Sequence, residues 1–132
     1  TIINDCYNAS YESIKAALEY ISDLKVNRKI AVLGDVLELG DFSEKVHEKI
    51  GEEVVKQKID MLICCGESSK NICRIALENG MKKDQVFYEN NTKNVIKRIK
   101  EKMAKDDVIL LKASNGMKFS DIANELIDKY GI

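Results

Sequence analysis

Short apolar runs and longer amphipathic stretches alternate along the whole chain. Residues 1–4 are brief and β-branched, the pattern of a buried strand. Behind Ser10, a residue suited to an N-cap, Ile14, Ala17, Leu18, Ile21 and Leu24 recur at helical spacing and predict an amphipathic helix. Residues 30–33 read as a second strand. Ser43 then caps a helix carrying Val46, Ile50, Val54 and Val55 on its buried side. Residues 61–65 form a continuous apolar run, as expected of a strand covered on both faces. A helix with Ile72, Ile75, Ala76 and Leu77 follows and stops at Gly80. Residues 85–88 predict a fourth strand, and Thr92 caps a helix with Val95, Ile96, Ile99 and Met103. Residues 107–111 predict a fifth strand. The last helix carries Ile122, Ala123, Leu126 and Ile127 and ends near Gly131.

Strand and helix thus alternate five times without a break. That order predicts an α/β fold, Rossmann-like, three-layered and doubly wound. Its mostly parallel sheet should hold about five to six strands, with helices on both faces and right-handed crossovers. No further repeat, low-complexity segment or proline-rich linker interrupts the 132 residues, which read as one domain. A strand at residue 1, with no lead-in, predicts a domain taken from a longer protein.

Composition narrows the classes of partner. The chain is 45% hydrophobic and 33% charged with a net charge of −1, so it offers no basic surface for nucleic acid or membrane. No apolar run approaches the roughly 20 residues of a membrane span, and no signal-peptide pattern opens the sequence. Cys6, Cys64, Cys65 and Cys73 form no C-x-x-C pair, and His47 is the single histidine. Reduced thiols acting as small core hydrophobes, with no metal site, are the expectation.

In a parallel sheet the strand-to-helix loops share the carboxyl edge, where such folds bind ligands. Three of these loops are richer than a connection requires. The first, residues 5–10, holds Asp5, Asn8 and Ser10 before a helix N-terminus. That set suits either an Asx-turn with an N-cap or a site for an anion or sugar hydroxyl. The second, residues 34–42, places Asp35 and Glu38 between Gly34 and Gly40. Those carboxylates could hold a ligand ammonium or a metal-bound water, or stand solvated. His47, one turn into the next helix, could face the same edge or be held by helix partners. The third, residues 112–118, could clasp a carboxylate or phosphate through backbone N–H groups, with Lys112 as counter-charge.

Several enzyme classes drop out. Gly34 and Gly40 are both followed by Asp, so no G-x-x-x-x-G-K-S/T loop is present. No G-x-G-x-x-G follows the first strand, and no G-x-S-x-G elbow occurs. A phospho-accepting receiver domain needs Asp at the end of the third strand, where this chain has Cys65.

The sequences Asp5-Cys6-Tyr7-Asn8-Ala9-Ser10, Leu33-Gly34-Asp35-Val36-Leu37-Glu38-Leu39-Gly40 and Leu111-Lys112-Ala113-Ser114-Asn115-Gly116-Met117-Lys118, in series, resemble the C-terminal domain of the Mur ligases. Within that family they are similar to the branch that adds D-alanyl-D-alanine, whose pattern runs D-x-Y-N-A-N, L-G-D-M-x-E-L-G and L-K-G-S-x-G-M. Departures are Ser10 for Asn, Tyr11 for Pro, Val36 for Met, Ala113 for Gly and Asn115 for a frequent Arg.

The resemblance implies a cytoplasmic step of peptidoglycan synthesis. ATP phosphorylates the carboxylate of a UDP-N-acetylmuramoyl-tripeptide, and the amine of D-alanyl-D-alanine attacks the acyl phosphate. It also implies an N-terminal domain for the UDP-sugar and a central P-loop domain for ATP and magnesium, neither lying within these 132 residues. The domain alone is then expected to be inactive, with no catalytic residue of its own. By position, Asp5 and Asn8 would approach the nucleotide. Ser10, Asp35, Glu38, Ser114, Asn115 and Met117 would surround the dipeptide. Two other readings stay open: a self-standing module that binds a nucleotide or dipeptide, and a related ligase domain for another amino acid.

Overall fold

The computed structural model describes residues 1–5, 9–114 and 117–130, without the side chains of Asp5 and residues 127–130. Cys6, Asn8, Asn115 and Gly131 therefore lie outside the described residues, as does the side chain of Ile127. Five strands, β1 (Ile2–Asp5), β2 (Lys29–Gly34), β3 (Met61–Cys65), β4 (Val86–Glu89) and β5 (Val108–Lys112), alternate with five helices. The helices are α1 (Tyr11–Ser22), α2 (Ser43–Lys56), α3 (Lys70–Glu78), α4 (Thr92–Lys102) and α5 (Phe119–Tyr130).

All strand pairs are parallel, in the order β1-β5-β2-β3-β4. Handedness explains where the helices lie. The crossovers β1→β2, β2→β3 and β3→β4 all move the same way across the sheet, so right-handed connections put α1, α2 and α3 on one face. The crossover β4→β5 moves back, which sends α4 to the opposite face, where α5 joins it.

The two cores match that division. Ala31, Leu33, Leu62, Cys64 and Leu110 meet Ile14, Leu18, Ile50, Val54 and Ile72 on one face. Ile30, Val32, Ile63, Ile109 and Leu111 meet Val95, Ile99, Phe119 and Ile122 on the other. Every residue of β3 and β5 is buried, which is why residues 61–65 and 108–111 are apolar throughout, with the buried Lys112 ending β5. Ile14, Leu18 and Ile21 of α1 have no exposed surface, and each contributes roughly 1.5–3 kcal/mol by its burial.

Helix starts differ from the sequence expectation in two places. Thr92 is the first helical residue, and the cap is Asn91, whose side chain accepts the Asn94 N–H at 2.8 Å. Ser43 does not cap α2 either. A single 3₁₀ turn, Gly40–Phe42, leads straight into the helix, and the Ser43 hydroxyl donates to Ser68 Oγ at 3.1 Å instead. Ser10 behaves as expected. Its Oγ accepts the Ser13 N–H at 3.1 Å while Ser13 Oγ accepts the Ser10 N–H at 2.9 Å, a closed capping box. Leu77 is 39% exposed, outside the buried face of α3.

Candidate functional site

The strand order sets β1, β5 and β2 side by side. The three loops singled out in the sequence are the carboxyl-end extensions of those three strands, although more than a hundred residues separate the first from the last. β2 feeds α2 on one face and β5 feeds α5 on the other. Their carboxyl ends therefore form a topological switch point, the crevice where open α/β sheets take ligands.

The second and third loops are hydrogen-bonded to each other. The Ser114 N–H donates to the Asp35 carbonyl at 3.1 Å, and the Leu37 N–H donates to Ser114 Oγ at 2.8 Å. Because Ser114 Oγ accepts from Leu37, its own hydroxyl proton stays available to a further acceptor. This contact needs a glycine below it: a Cβ on Gly34 would sit 2.7 Å from the Ala113 Cβ and 2.8 Å from the Phe119 ring. The Met117 N–H closes a turn onto the Ser114 carbonyl at 2.9 Å, and its side chain packs half-buried against the α5-side core.

Asp35 is buried, at 8% exposure, and its carboxylate turns toward the β3–α3 connection. Oδ1 accepts from the Ser69 N–H at 2.8 Å and the Ser69 hydroxyl at 2.7 Å, and Oδ2 accepts from the Ser68 N–H at 3.3 Å. A buried carboxylate requires such donors, and these lie at the start of α3, where the helix dipole also favours negative charge. Gly66, at φ 117°, makes room: a Cβ there would meet the Asp35 carboxylate at 2.4–2.8 Å. Asp35 thus joins the β2 end to the β3–α3 turn.

Glu38 is the opposite case. It is exposed and holds φ 64°, a left-handed conformation rarely adopted by residues other than glycine, asparagine or aspartate. Its neighbours Leu37 and Phe42 are 41% and 70% exposed. His47 does not face the crevice; it is fully buried. Its Nε2 accepts the Val36 N–H at 3.0 Å, and its Nδ1–H donates to the Ser43 carbonyl at 2.7 Å. Those bonds assign the Nδ1–H tautomer. They also exclude a Ser–His–Asp relay, since Asp35 bonds to Ser68 and Ser69 rather than to the ring.

Ser10, exposed at the start of α1, lies at the β1 end of the row. The β1–β5 register places Asp5 beside Lys112, which is 1% exposed at the carboxyl end of β5. Cys64, Cys65 and Cys73 are free and buried. Burial pushes the Cys64 thiol well up, helped by neighbouring Cys73, and it raises Cys65 with help from Asp35. Such thiols are poor nucleophiles. Among the described residues, no three His, Cys, Asp or Glu side chains converge as a metal ion requires. No described helix is long and apolar enough to cross a membrane. A surface depression of about 690 Å³ lies between α4 and α5, away from this edge, and is rimmed by the Lys100–Glu125 ion pair.

Sequence reasoning picked out Asp35, Glu38, Ser114 and Met117; the structure joins the loops of Asp35 and Ser114, leaves Glu38 exposed between them and α2, turns the Asp35 carboxylate into the β3–α3 turn and packs Met117 against the α5-side core. It did not anticipate that Ser68 and Ser69 hold Asp35 or that His47 ties Val36 to Ser43. The one available signal was the Gly66-Glu67-Ser68-Ser69 turn, whose donors needed an acceptor.

Comparison with known proteins adds identity to this geometry. Residues 1–115 match the family described as Mur ligase, glutamate ligase domain. The UDP-N-acetylmuramoyl-tripeptide–D-alanyl-D-alanine ligase of Bacillus subtilis (strain 168) is 40% identical over 129 residues, covering 97% of this chain. The chain spans 28% of that relative's length. The ligase of the same name from Buchnera aphidicola is 33% identical over 132 residues, with 98% of this chain and 27% of the relative covered. Among solved structures, MurF ligase from Thermotoga maritima in complex with ADP superposes with a TM-score of 0.75 at 26% identity, over 97% of this chain and 28% of that one. MurF from Acinetobacter baumannii gives a TM-score of 0.79 at 21% identity, over 94% and 27%, a likeness of fold.

Proposed function

The chain belongs to the Mur ligase family through its glutamate ligase domain, and from that premise we propose that it is the C-terminal, substrate-closing domain of an ATP-dependent ligase joining D-alanyl-D-alanine to UDP-N-acetylmuramoyl-tripeptide. The observation that carries the reading is the junction of the second and third loops through Ser114 in a chain whose relatives bear that ligase's name. The reaction belongs to cytoplasmic peptidoglycan synthesis. ATP transfers its terminal phosphoryl group to the tripeptide carboxylate, giving ADP and an acyl phosphate. The dipeptide amine then attacks the acyl carbon, the amide bond forms and phosphate leaves.

This chain's part is to hold the incoming dipeptide and to close over the reacting centre. Glu38 faces the dipeptide ammonium. Ser114, whose hydroxyl proton is available, faces its carboxylate, with Asn115 and Met117 next to it in the third loop. Asp35 bounds the site through its backbone while its carboxylate fixes the neighbouring turn. Ser10 closes the β1 end, and Asp5 and Asn8 approach the ribose and base of ATP. Magnesium does not fit here: the described residues converge no metal-ligating set, and Asp35 is already engaged by three donors. Its place, like that of the ATP phosphates and the UDP-sugar, is in domains beyond these residues. Exposed carboxylates attract an ammonium weakly in water, and domain closure strengthens that attraction by excluding solvent and protects the acyl phosphate from hydrolysis.

The test is turnover. The 132-residue chain, given ATP, UDP-tripeptide and D-alanyl-D-alanine, should release no phosphate, whereas the full-length ligase should. In the full-length enzyme Glu38→Ala should raise KM for the dipeptide about tenfold, the worth of one charge-assisted contact, and leave KM for ATP nearly unchanged. ADP production by the chain alone, or an unchanged dipeptide constant, would count against the assignment.

A further inference from the structure

We infer that His47 is a positioning residue for the acceptor dipeptide, fixing the β2–α2 loop in the one conformation that presents Glu38. The identity of the ligand rests on the functional reading above; the coupling rests on the geometry.

His47 has no exposed surface and so touches no ligand. Its ring instead spans the loop from within. Nε2 accepts the Val36 N–H at 3.0 Å on one side of Glu38, and Nδ1–H donates to the Ser43 carbonyl at 2.7 Å on the other. Both partners are main-chain groups, so the imidazole fixes the backbone path itself. Between these anchors Glu38 sits at φ 64°. A residue with a β-carbon keeps that conformation only where its surroundings impose it. The Leu37 N–H bond to Ser114 Oγ and the Ser114 N–H bond to the Asp35 carbonyl tie the same segment to the third loop, and the Phe42 N–H bond to the Leu39 carbonyl closes its turn.

Removing the ring acceptor leaves the Val36 N–H buried without a partner. Val36 itself is 4% exposed, so water cannot readily replace the bond. The segment relieves this by shifting, and Glu38 relaxes toward negative φ. Its carboxylate then leaves the line of the dipeptide amine. Nucleotide contacts, assigned to the β1–α1 loop, stay in place.

The test is a double-substitution cycle in the full-length ligase, reading KM for D-alanyl-D-alanine and for ATP separately. His47→Asn, which keeps a donor near the Nδ1 position and loses the acceptor for Val36, should raise dipeptide KM about tenfold and ATP KM less than about twofold. His47→Gln keeps one of the two contacts and should raise dipeptide KM only about threefold. In a Glu38→Ala background either substitution should add less than about twofold, because the carboxylate they position is gone. Should the Asn variant fail to fold, the Gln variant carries the same cycle. Parallel rises in both constants, or effects that multiply fully in the double variant, would overturn the inference and leave His47 a fold-stabilising residue. A wild-type ligase that consumes no D-alanyl-D-alanine would sink the functional reading and this inference together. Turnover with multiplicative effects would sink the inference alone.

Discussion

Replacing Asp35 by Asn separates a carboxylate that builds the crevice from one that binds within it. The substitution keeps the volume but removes the charge. Oδ1 still accepts from the Ser69 N–H and hydroxyl, which now approach a neutral amide at 2.8 and 2.7 Å. An amide NH₂ replaces Oδ2 and faces the Ser68 N–H at 3.3 Å, donor against donor. Hydrogen bonds to a charged partner contribute about 1.5–3 kcal/mol against about 0.5–1.5 for neutral ones. Two weakened bonds and one lost therefore cost roughly 3 kcal/mol. The favourable interaction with the start of α3 adds up to about 1 kcal/mol. Relief of the buried charge's desolvation offsets part of this, leaving a net loss of about 2 kcal/mol. With a urea slope of about 2 kcal/mol/M, the unfolding midpoint of the chain should fall by about 1 M, followed by circular dichroism. Asp35→Ala should fall further, since all three donors lose their acceptor. A midpoint within about 0.2 M of wild type would refute the reasoning. If dipeptide affinity collapsed at the same time, the carboxylate would belong to the ligand and not to the turn.

Two further outcomes test the electrostatics and the strain. Burial alone pushes the Asp107 carboxyl up, but the Arg28 guanidinium at 3.2 and 2.8 Å and the Ala104 N–H at 2.8 Å outweigh it and hold Asp107 below the usual carboxylate range. A depressed carboxyl contributes its full stability above the unfolded value of about 3.9 and loses it as pH falls through the folded value. The urea midpoint of the wild type should thus decline from about pH 5 downward more steeply than that of Asp107→Asn, which should be less stable at neutral pH; equal slopes would count against the ion pair. Glu38→Gly should leave stability unchanged or raise it by up to about 1 kcal/mol, because relief of the left-handed strain offsets the extra freedom of glycine in the unfolded chain. A loss greater than about 1 kcal/mol in chemical denaturation would show that Glu38 is not strained at φ 64°.

How legible each feature was follows from the range of the physics behind it. Strands buried on both faces are mostly apolar, so β3 and most of β5 could be read directly from residues 61–65 and 107–111, while the buried Lys112 that ends β5 carries no such signal. Helical faces repeat within a few residues and were equally visible. Strand order is different: nothing local says that β5 inserts between β1 and β2, so the meeting of three distant loops came only with the structure. Two helix starts, at Ser43 and Thr92, failed for a narrower reason. Ser43 and Thr92 have capping chemistry, but a cap also needs extended backbone at that one residue. Asn91 has it, at φ −153°, while Ser43 at φ −55° already continues the helical path.

Asp35 and Glu38 show the limit most clearly. In the sequence they are two acidic residues three positions apart in one loop, and either could meet an ammonium. Burial and partners divide them. Asp35 is enclosed and meets donors 33 and 34 residues further along the chain, a separation no local pattern can signal. Glu38 stays in solvent and occupies a conformation its own side chain disfavours. A carboxylate spent on its own fold can move little toward a ligand without breaking that fold. A strained, exposed one loses little by binding. Under the proposed function, the ammonium of an incoming dipeptide is therefore better matched to Glu38 than to Asp35, whose carboxylate is engaged by Ser68 and Ser69.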